Sequence, residues 1–303
     1  MRVAITGSTG LIGSALTRSL LADGHGVVRL VRGRSAVASE DGAESAWWDP
    51  VGGEVQPGAL DGVDAVVHLA GAGIGDRRWS AAYKAEIRRS RTAGTETIAR
   101  ACAEAAAPPR VLVSASATGY YGDTGDLVIE ESAHAGDDFL ADVCAAWEAA
   151  ADPAREAGVR VVHPRTGLVV SAQGGAFGRL LPLFRFGLGG RLGSGKQYWP
   201  FISLTDHIAA LRFAIAAEEL SGPVNFTAPE PVTNRAATEA LGRALHRPTL
   251  AAVPAFALRA AIGEFSTGIT CSCRAVPSAL LKAGFEFAHP TVDEALGSVL
   301  GTN

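Results

Sequence analysis

The chain has 303 residues, of which 48% are hydrophobic, so it can bury a large core in one domain or in a main domain with a smaller lobe. Its formal net charge of -4 is small and the charges are interspersed, which argues against nucleic acid as the main partner. No apolar run is long enough for a membrane span, and the N-terminus lacks a signal-peptide pattern. The 4 cysteines suggest no disulfide framework, and the pair at 271 and 273 is too little for a metal site. We therefore expect a cytoplasmic protein without a metal.

The clearest motif lies at residues 1–13. An apolar, β-branched run over 2–6 is typical of a buried parallel strand, and helical periodicity covers 11–21. Glycines join the two, and such a turn binds anions because unpaired N–H groups at the helix start point at a pyrophosphate. A structural turn is the alternative, but the flanking strand and helix favour nucleotide binding. The predicted contacts are Gly7, Ser8, Thr9, Gly10, Leu11, Ile12 and Gly13.

The end of the second predicted strand, at residues 26–31, bears on the choice of cofactor. NAD users carry an acidic residue near this point, whereas this chain has Arg29, Arg32 and Arg34 and no acid until Glu40. A guanidinium matches a 2′-phosphate with two hydrogen bonds, so we predict NADP(H), with Arg32 as the main contact. The alternative is that these arginines are solvated loop charges.

Strand and helix patterns alternate through the following part of the chain. The predicted strands cover 44–49, 61–71, 110–114, 159–163 and 223–228, and the predicted helices cover 79–107, 136–158 and 203–217. This alternation predicts an α/β fold with a Rossmann-type doubly wound parallel sheet, whose ligands lie outside the carboxyl ends of the strands. The strand at 61–71 ends in small residues that can lie against the adenosine, and we assign Leu69, Ala70 and Gly71 to the cofactor.

After residue 166 the regular alternation loosens, with many glycines over 171–195 and scattered prolines after 229. We predict a small, discontinuous, mixed α/β lobe made of residues 171–200 plus 229–303, which closes over the nicotinamide end of the cleft. Residues 1–170 plus 201–228 form the predicted NADP(H)-binding Rossmann domain.

The glycine spacing at 7, 10 and 13, preceded by Thr6, resembles the extended short-chain dehydrogenase/reductase and nucleotide-sugar epimerase superfamily. Further stretches resemble an atypical branch of it, the epimerase-family (sugar-nucleotide epimerase-like) proteins of unassigned substrate. They are RW at 78–79, SRTAGT at 90–95, SASATGYYG at 114–122, FLADVCAAWE at 139–148, GLGG at 187–190, GSG at 193–195, NFTAP at 225–229 and GFEF at 284–287. The resemblance runs essentially end to end. It implies an NADP-binding protein with the branch's characteristic C-terminal module.

The superfamily resemblance also implies a catalytic set of Ser/Thr, Tyr-x-x-x-Lys and an upstream Asn, from which this chain departs. Alignment on Glu148 puts Leu140 at the Tyr position, Cys144 at the Lys position and Arg91 at the Asn position. Ser116 matches the catalytic serine. The branch shares these replacements.

Leucine cannot move a proton, so redox chemistry needs another donor. Tyr120 or Tyr121, close in sequence to Ser116, could supply one, although packing is the alternative role. Cys144 could be a reactive thiol, but we favour an inert, buried cysteine. Arg91 could bind a substrate anion or its own neighbours, and the sequence does not choose. We interpret Asp206, next to a histidine on a predicted helix, as a structural or capping residue.

In nucleotide-sugar epimerases, a stretch resembling Gln-x-Arg-Asp-Phe-Ile-x-Val-x-Asp places an arginine on the substrate diphosphate. The matching run here is QYWPFISLTD at 197–206, so Trp199 and Pro200 replace Arg and Asp. We therefore predict that the substrate is not an ordinary nucleotide-diphosphate sugar. Trp199 suits an apolar or aromatic substrate face, with packing between the lobes as the alternative. Arg191 is a second predicted substrate contact, and Arg179, Arg185 or Lys196 could also substitute for the missing arginine.

The sequence thus predicts an NADP(H)-dependent oxidoreductase or epimerase-like enzyme acting on an unidentified small molecule. The alternative is a non-catalytic NADP(H)-binding or redox-sensing protein, which the missing Tyr and Lys permit. We expect neither nucleic-acid nor membrane partners, and a homodimer is one possible assembly.

Overall fold

The structure is a computed structural model that describes residues 1–33 and 42–301. Arg34 and Glu40 lie outside the described residues. The strands are β1 Arg2–Thr6, β2 Gly26–Arg32, β3 Glu44–Asp49, β4 Glu54–Val55, β5 Ala65–His68, β6 Val111–Ser114, β7 Ser116–Ala117, β8 Val128–Ile129, β9 Arg160–Thr166, β10 Leu168–Val170, β11 Gly190–Leu192, β12 Tyr198–Trp199, β13 Phe201–Ser203, β14 Gly222–Phe226, β15 Val232–Thr233, β16 Ala251–Val253 and β17 Arg274–Ala275.

The α-helices are α1 Leu11–Ala22, α2 Ala81–Glu104, α3 Phe139–Ala149, α4 Asp152–Glu156, α5 Gly175–Arg185, α6 Leu204–Ala216, α7 Asn234–Leu245, α8 Ala255–Ile262, α9 Ser266–Thr270, α10 Ser278–Lys282 and α11 Val292–Leu300. Short 3₁₀ turns cover Thr118–Tyr121 and Gly263–Phe265. Within the described part of the chain, no helix is both long enough and apolar enough to span a bilayer.

Among the described residues, the main sheet has nine strands in the order β14-β9-β6-β5-β1-β2-β3-β4, with β7 paired to β9 beside this path. Its neighbours run parallel except for β3 and β4, which are antiparallel. The chain first builds outward from β1 through β2 and β3, and then adds β5 on the other side of β1. The switch in direction between β1 and β5 is where a doubly wound sheet binds its ligand. The predicted Rossmann-type α/β fold is confirmed, as is the returning strand at its edge, β14.

Helices cover both faces of the sheet. Successive side chains of a strand point to opposite sides, so neighbouring residues of β1 enter different apolar clusters. On one face Ile5 packs in a cluster with Leu16 of α1 and Leu211 of α6. On the other face Ala4 packs in a cluster with Ile98 of α2. Each fully buried Leu or Ile stabilises the fold by about 1.5–3 kcal/mol. Strands that are buried on both faces consist of continuous apolar runs, which is why these strands could be predicted from the sequence.

The predicted single helix over 136–158 is wrong. The chain forms α3 and α4 instead, with a break at residues 150–151. Pro153, in the first turn of α4, lacks the N–H that a continuous helix needs. In such a helix its ring would also clash with the carbonyl four residues earlier. The start of α3 is fixed by Asp138, whose side chain accepts a hydrogen bond from the N–H of Ala141 at 2.9 Å.

A third apolar cluster lies within the predicted second lobe, where Phe177, Leu241 and Leu296 pack together. The division of the chain at residues 170 and 200 stays a prediction. The strands at these two boundaries, β10 and β13, pair with each other in parallel and add Val170 and Phe201 to the same cluster. They therefore connect the main sheet to the lobe.

The C-terminal segment is tied to α6 through Asp206. This buried carboxylate accepts hydrogen bonds from the N–H groups of Ala288 at 2.8 Å and His289 at 3.0 Å, and from the hydroxyl of Ser203 at 2.8 Å. These are the contacts of a structural residue, as the sequence indicated for Asp206.

Candidate functional site

The glycine turn after β1 is built from backbone contacts that leave no room for side chains. A Cβ atom on Gly13 would lie 2.2 Å from the carbonyl oxygen of Gly7, and one on Gly7 would lie 2.9 Å from the carbonyl carbon of Leu69. Gly7 also has φ +66, a conformation that favours glycine. Gly10 occupies the N-cap of α1 and has no side chain to cap it. The first amides of α1 are therefore left for an anion at the carboxyl end of β1.

The loop after β5 is fixed beside this turn by Thr6. Its hydroxyl accepts hydrogen bonds from the N–H groups of Leu69 at 3.0 Å and Ala70 at 3.3 Å. It also lies 2.8 Å from Nδ1 of His68. Since the hydroxyl already accepts twice, its own proton goes to Nδ1. Burial lowers the pKa of His68 to about 3, so the ring stays neutral and serves as the acceptor. The sequence motif included Thr6 but did not reveal this role.

Arg32 ends β2, next to β1 in the sheet. Because Thr6 stands opposite Leu30 in the register, Arg32 lies at the level of the glycine turn, and its side chain is exposed. Arg29 stands opposite Ile5, within the strand. Three groups of predicted cofactor contacts therefore lie at the carboxyl ends of neighbouring strands: the glycine turn after β1, Arg32 at the end of β2 and Leu69–Gly71 after β5.

Ser116 lies in a buried network at the carboxyl end of β6. Its hydroxyl donates to Oε1 of Glu148 at 2.7 Å. Arg165 holds the same carboxylate with two hydrogen bonds, from Nε at 2.8 Å and from Nη2 at 2.9 Å. The pair is almost fully buried, with 3% of the Arg165 side chain and 13% of the Glu148 side chain exposed. The hydrogen bonds to Glu148 raise the pKa of Arg165, against the effect of burial, so the guanidinium stays charged.

Both candidate tyrosines contact the same arginine. The Tyr121 hydroxyl donates to Oδ1 of Asn225 at 2.6 Å and accepts from Nη1 of Arg165 at 3.0 Å. Burial raises the pKa of Tyr121 to about 12. The Tyr120 ring stacks against the guanidinium, with Cζ of Arg165 3.4 Å from the ring centroid, and it is more exposed than Tyr121. The structure thus brings together Ser116, Tyr120 and Tyr121, as their closeness in sequence suggested.

The face of α3 that carries Leu140 and Cys144 packs on the 3₁₀ turn that follows Ser116. A Cβ atom on Gly119 would lie 3.4 Å from Cβ of Leu140 and 3.9 Å from Sγ of Cys144. Cys144 is 4% exposed, and burial raises the pKa of its thiol to about 12. These features agree with the inert interpretation. From the other side α9 covers Leu140, since a Cβ on Gly268 would lie 3.2 Å from its Cδ1.

Arg91 reaches from α2 to the loop after β5. Its Nη1 donates to the carbonyl oxygens of Ala72 at 3.0 Å and Ile87 at 3.2 Å. Its Cζ lies 4.9 Å from the centroid of the Trp147 ring on α3. The guanidinium therefore stands between the cofactor loop and α3, close to Cys144, with which it interacts electrostatically.

The predicted substrate residues Trp199 and Arg191 lie within the predicted second lobe, on β12 and β11. The Trp199 indole N–H donates to the carbonyl oxygen of Ile269 at 3.0 Å, and its ring lines a small apolar cavity of about 40 Å³. Nη1 of Arg191 donates to the carbonyl oxygen of Ser194 at 3.2 Å. Trp199 is linked to the surroundings of Ser116 only indirectly, through α9, which contains Ile269 and covers Leu140. Both substrate roles stay predictions.

Sequence reasoning missed the residues that hold this network together, namely Arg165, Asn225 and the carboxylate of Glu148. Glu148 served only to align the chain, and the predicted strand ended at residue 163, before Arg165. A charged residue just beyond this predicted strand was the one available signal.

A parallel sheet with a glycine turn at its switch point defines a nucleotide-binding protein of the dehydrogenase and epimerase type. The model of the NAD dependent epimerase/dehydratase family matches residues 3–226, and a domain of unknown function, DUF1731, matches residues 253–299. The chain belongs to the NAD dependent epimerase/dehydratase family. The predicted resemblance to epimerase-family proteins with a C-terminal module is confirmed.

Similar proteins extend over nearly the whole chain. An epimerase family protein of Mycobacterium bovis is 52% identical over 296 residues, which cover 97% of this chain and 96% of that protein. The crystal structure of human epimerase family protein SDR39U1 (isoform 2) with NADPH has a TM-score of 0.89 and 32% identity, with all of both chains covered. A nucleoside-diphosphate sugar epimerase from Corynebacterium glutamicum has a TM-score of 0.81 and 35% identity, over 99% of this chain and 58% of that one.

The environment of the thiols leads to a testable prediction. Burial raises the pKa of each of the 4 cysteines to about 12, which leaves roughly one thiolate in ten thousand at pH 8. Native protein should therefore react slowly with a chromogenic disulfide reagent at pH 8, and urea should release all 4 thiols. Rapid native reaction that disappears in Cys144→Ser would show instead that Cys144 is an activated thiol.

Proposed function

We propose that this chain is an NADP(H)-dependent oxidoreductase or epimerase-like enzyme that acts on a small molecule. The observation that carries the proposal is the side-chain-free turn at Gly7 and Gly13, closed by Leu69 and open towards the first amides of α1. A Cβ on either glycine would collide with backbone, so the turn keeps the shape that a dinucleotide pyrophosphate requires. The residues present therefore fit the cofactor. Its presence with human SDR39U1 supports the same assignment.

Each segment at the carboxyl ends of β1, β2 and β5 has a role in holding NADP(H). The amides that begin α1 bind the diphosphate, Leu69–Gly71 lie against the adenosine, and Arg32 binds the 2′-phosphate. When bound, the cofactor supplies or accepts a hydride at its nicotinamide ring. Thr6 serves these contacts indirectly, because its hydrogen bonds hold the Leu69 and Ala70 amides in place.

Ser116 is the residue that we propose to orient the substrate. Because its proton is directed to Glu148, its oxygen offers lone pairs, which suit a substrate hydroxyl. Rotation about χ1 would let the hydroxyl donate to a carbonyl instead. Leu140 cannot exchange a proton, and the Tyr121 hydroxyl is already bonded to Asn225 and Arg165. Tyr120 is therefore the more available proton donor of the two tyrosines.

A non-catalytic NADP(H)-binding or redox-sensing role is the second candidate. It is favoured by Leu140 and Cys144, the apolar face that α3 presents where the superfamily carries Tyr and Lys. Such a sensor would respond to the redox state of the bound cofactor and not to oxidation of Cys144, because this buried thiol is poorly suited to redox chemistry. Oxidation of NADPH by purified protein, challenged with a panel of carbonyl compounds, distinguishes the two roles.

We also propose a cytoplasmic location for this chain and no nucleic-acid partner, and a homodimer stays a prediction. A relative in Arabidopsis thaliana, 36% identical over 303 residues, is named chloroplastic, so membership of the family does not by itself fix the compartment.

The cofactor assignment is tested by Arg32→Ala. Loss of a charge-assisted hydrogen bond of about 1.5–3 kcal/mol should weaken NADPH binding about tenfold to hundredfold. Binding of NADH, which lacks the 2′-phosphate, should hardly change. Calorimetric titration of both cofactors measures the selectivity, with Arg18→Ala, at an exposed position on α1, as the matched control. An equal loss for both cofactors would contradict the role given to Arg32.

The role of Ser116 is tested by Ser116→Ala, once a carbonyl compound from the panel gives turnover. The kcat should fall by about a hundredfold or more, as expected for a positioned hydrogen-bonding group. Cys144→Ser should have a much smaller effect, and Ser132→Ala, at an exposed serine, is the neutral control. A dead Cys144→Ser enzyme beside an unharmed Ser116→Ala enzyme would reverse these roles.

We expect nucleotide-diphosphate sugars to bind poorly. The Trp199 indole cannot neutralise a diphosphate, and its N–H is bonded to Ile269. Arg179 is also engaged, by Asp76 and the carbonyl of Gly75. Calorimetry of UDP- and GDP-sugars with NADP-loaded protein should give no heat at micromolar concentrations, with NADPH binding to the cofactor-free protein as the positive control. Micromolar binding of any such sugar would refute this expectation.

A further inference from the structure

Exposed apolar side chains are concentrated on one face of the predicted second lobe. Among the described residues, Phe186, Leu250 and Phe256 are 80%, 93% and 78% exposed, and Leu183 and Leu188 are also exposed. Side chains as exposed as these protrude from the surface and do not line a groove. We call these five residues the lobe patch. Clustered exposed apolar side chains of this kind mark an interaction site.

The two chain segments that carry the lobe patch lie side by side, although they are far apart in sequence. Gly190 of β11 stands opposite Ala251 of β16 in a parallel pair. Just before these strands, Nε of Arg247 donates a hydrogen bond to the carbonyl oxygen of Arg185 at 3.0 Å. The segment with the two leucines and Phe186 therefore borders the segment that leads to Leu250.

Helix α8 extends the patch beyond β16. All of its residues are hydrophobic except Arg259, and none of them is buried. A helix that packs on a core buries an apolar stripe, which α8 does not do. An apolar helix that lies on the surface with a single charged residue has the character of an interfacial helix.

The charges around the lobe patch are all positive. Residues 171–200 and 240–263 contain arginines and a lysine but no Asp or Glu. Three of these arginines, Arg185, Arg247 and Arg259, are exposed in the segments that carry the patch. We call them the rim arginines. An exposed apolar surface with a purely cationic border favours an anionic partner.

The acids that follow these segments do not neutralise the rim arginines, because they are paired elsewhere. Asp293 lies 2.9 Å from Nη2 of Arg243, and Glu264, just beyond α8, lies 2.5 Å from Nζ of Lys84. A second copy of this chain is therefore a poor partner for the same face. A twofold interface brings identical surfaces together, so it would place the rim arginines close to their own copies.

We propose that the lobe patch docks on an anionic lipid surface. The protruding leucine and phenylalanine side chains enter the headgroup region, and the rim arginines contact the lipid phosphates. Docking of this kind needs no spanning segment, which was the ground for expecting no membrane partner. It is independent of the proposed cofactor, and it brings the C-terminal module to the lipid surface.

The test is co-sedimentation of the purified full chain with vesicles. Wild-type protein should bind vesicles made of equal parts of phosphatidylglycerol and phosphatidylcholine. It should bind phosphatidylcholine vesicles much more weakly, and high salt should weaken the binding to anionic vesicles because it screens the arginines. Equal binding to both kinds of vesicle would overturn the proposal, and so would no binding to either.

Single substitutions identify the face that docks. Leu250→Ser should weaken binding to anionic vesicles about tenfold, through the loss of apolar burial. Arg185→Gln and Arg259→Gln should each weaken it about fivefold. The matched controls are Val51→Ser, at a valine that is 85% exposed on the turn before β4, and Arg18→Gln, at an exposed position on α1. Both controls should bind as wild type does.

The remaining outcomes also decide the proposal. All these side chains are exposed, so thermal unfolding should match wild type, and the arginine variants keep the test decisive if Leu250→Ser does not fold. Unchanged binding by both the Leu250 and the arginine variants would place the lipid contact on another face and overturn the proposal. Sedimentation velocity without lipid gives the last outcome. A dimer that Leu250→Ser dissociates would show instead that the patch is an interface between copies.

Discussion

The close approach of Gly13 to the carbonyl oxygen of Gly7 is the contact on which the nucleotide end of the molecule depends. A Cβ atom at Gly13 would stand only 2.2 Å from that oxygen, and one at Gly7 would stand 2.9 Å from the backbone of Leu69. Three elements, β1, α1 and the loop after β5, therefore approach one another backbone to backbone here, and the Thr6 hydroxyl adds the side-chain hydrogen bonds that hold the loop. The same contact that packs α1 on the sheet also aims its first amides at the cleft. Packing and anion binding are one constraint here, so a side chain at either glycine would disturb both.

The Ser116 end of the cleft depends instead on a buried charge pair. Glu148 and Arg165 are removed from water, which is costly, and the cost is offset by two mutual hydrogen bonds and by further bonds to Ser116 and Tyr121. Because the Arg165 guanidinium also stacks on Tyr120, the candidate catalytic side chains belong to one connected network. Removal of either charge would leave the other buried and unpaired. A buried ion pair of this kind adds little to the free energy of unfolding. It fixes the positions of Ser116 and Tyr121, which are bonded to it.

The parts of the fold that could be predicted from sequence are those that depend on local pattern. The parallel strands are buried on both faces and read as apolar runs, and the glycine turn follows from spacing. The break between α3 and α4 was missed because helical periodicity masked the effect of Pro153. The network around Arg165 joins residues far apart in sequence, such as Tyr121 and Asn225, and no periodic pattern reports such a pairing. Burial is likewise a tertiary property, so the sequence could only favour an inert Cys144 over a reactive one, whereas the structure shows the buried environment that raises the pKa of its thiol.

The packing around Leu140 accounts for a leucine at the position where the superfamily resemblance predicts a tyrosine. Leu140 fits between Gly119 and Gly268, at positions where even a Cβ atom would lie 3.4 Å and 3.2 Å from it. Gly268 belongs to α9, which is held over this point by the hydrogen bond from Trp199 to Ile269 and by contact of the Phe265 ring with Trp79. A larger side chain at position 140 would therefore be confined by α9 on this side. Leu140 and the cover that α9 supplies from the C-terminal module thus form one packed unit beside the turn that follows Ser116.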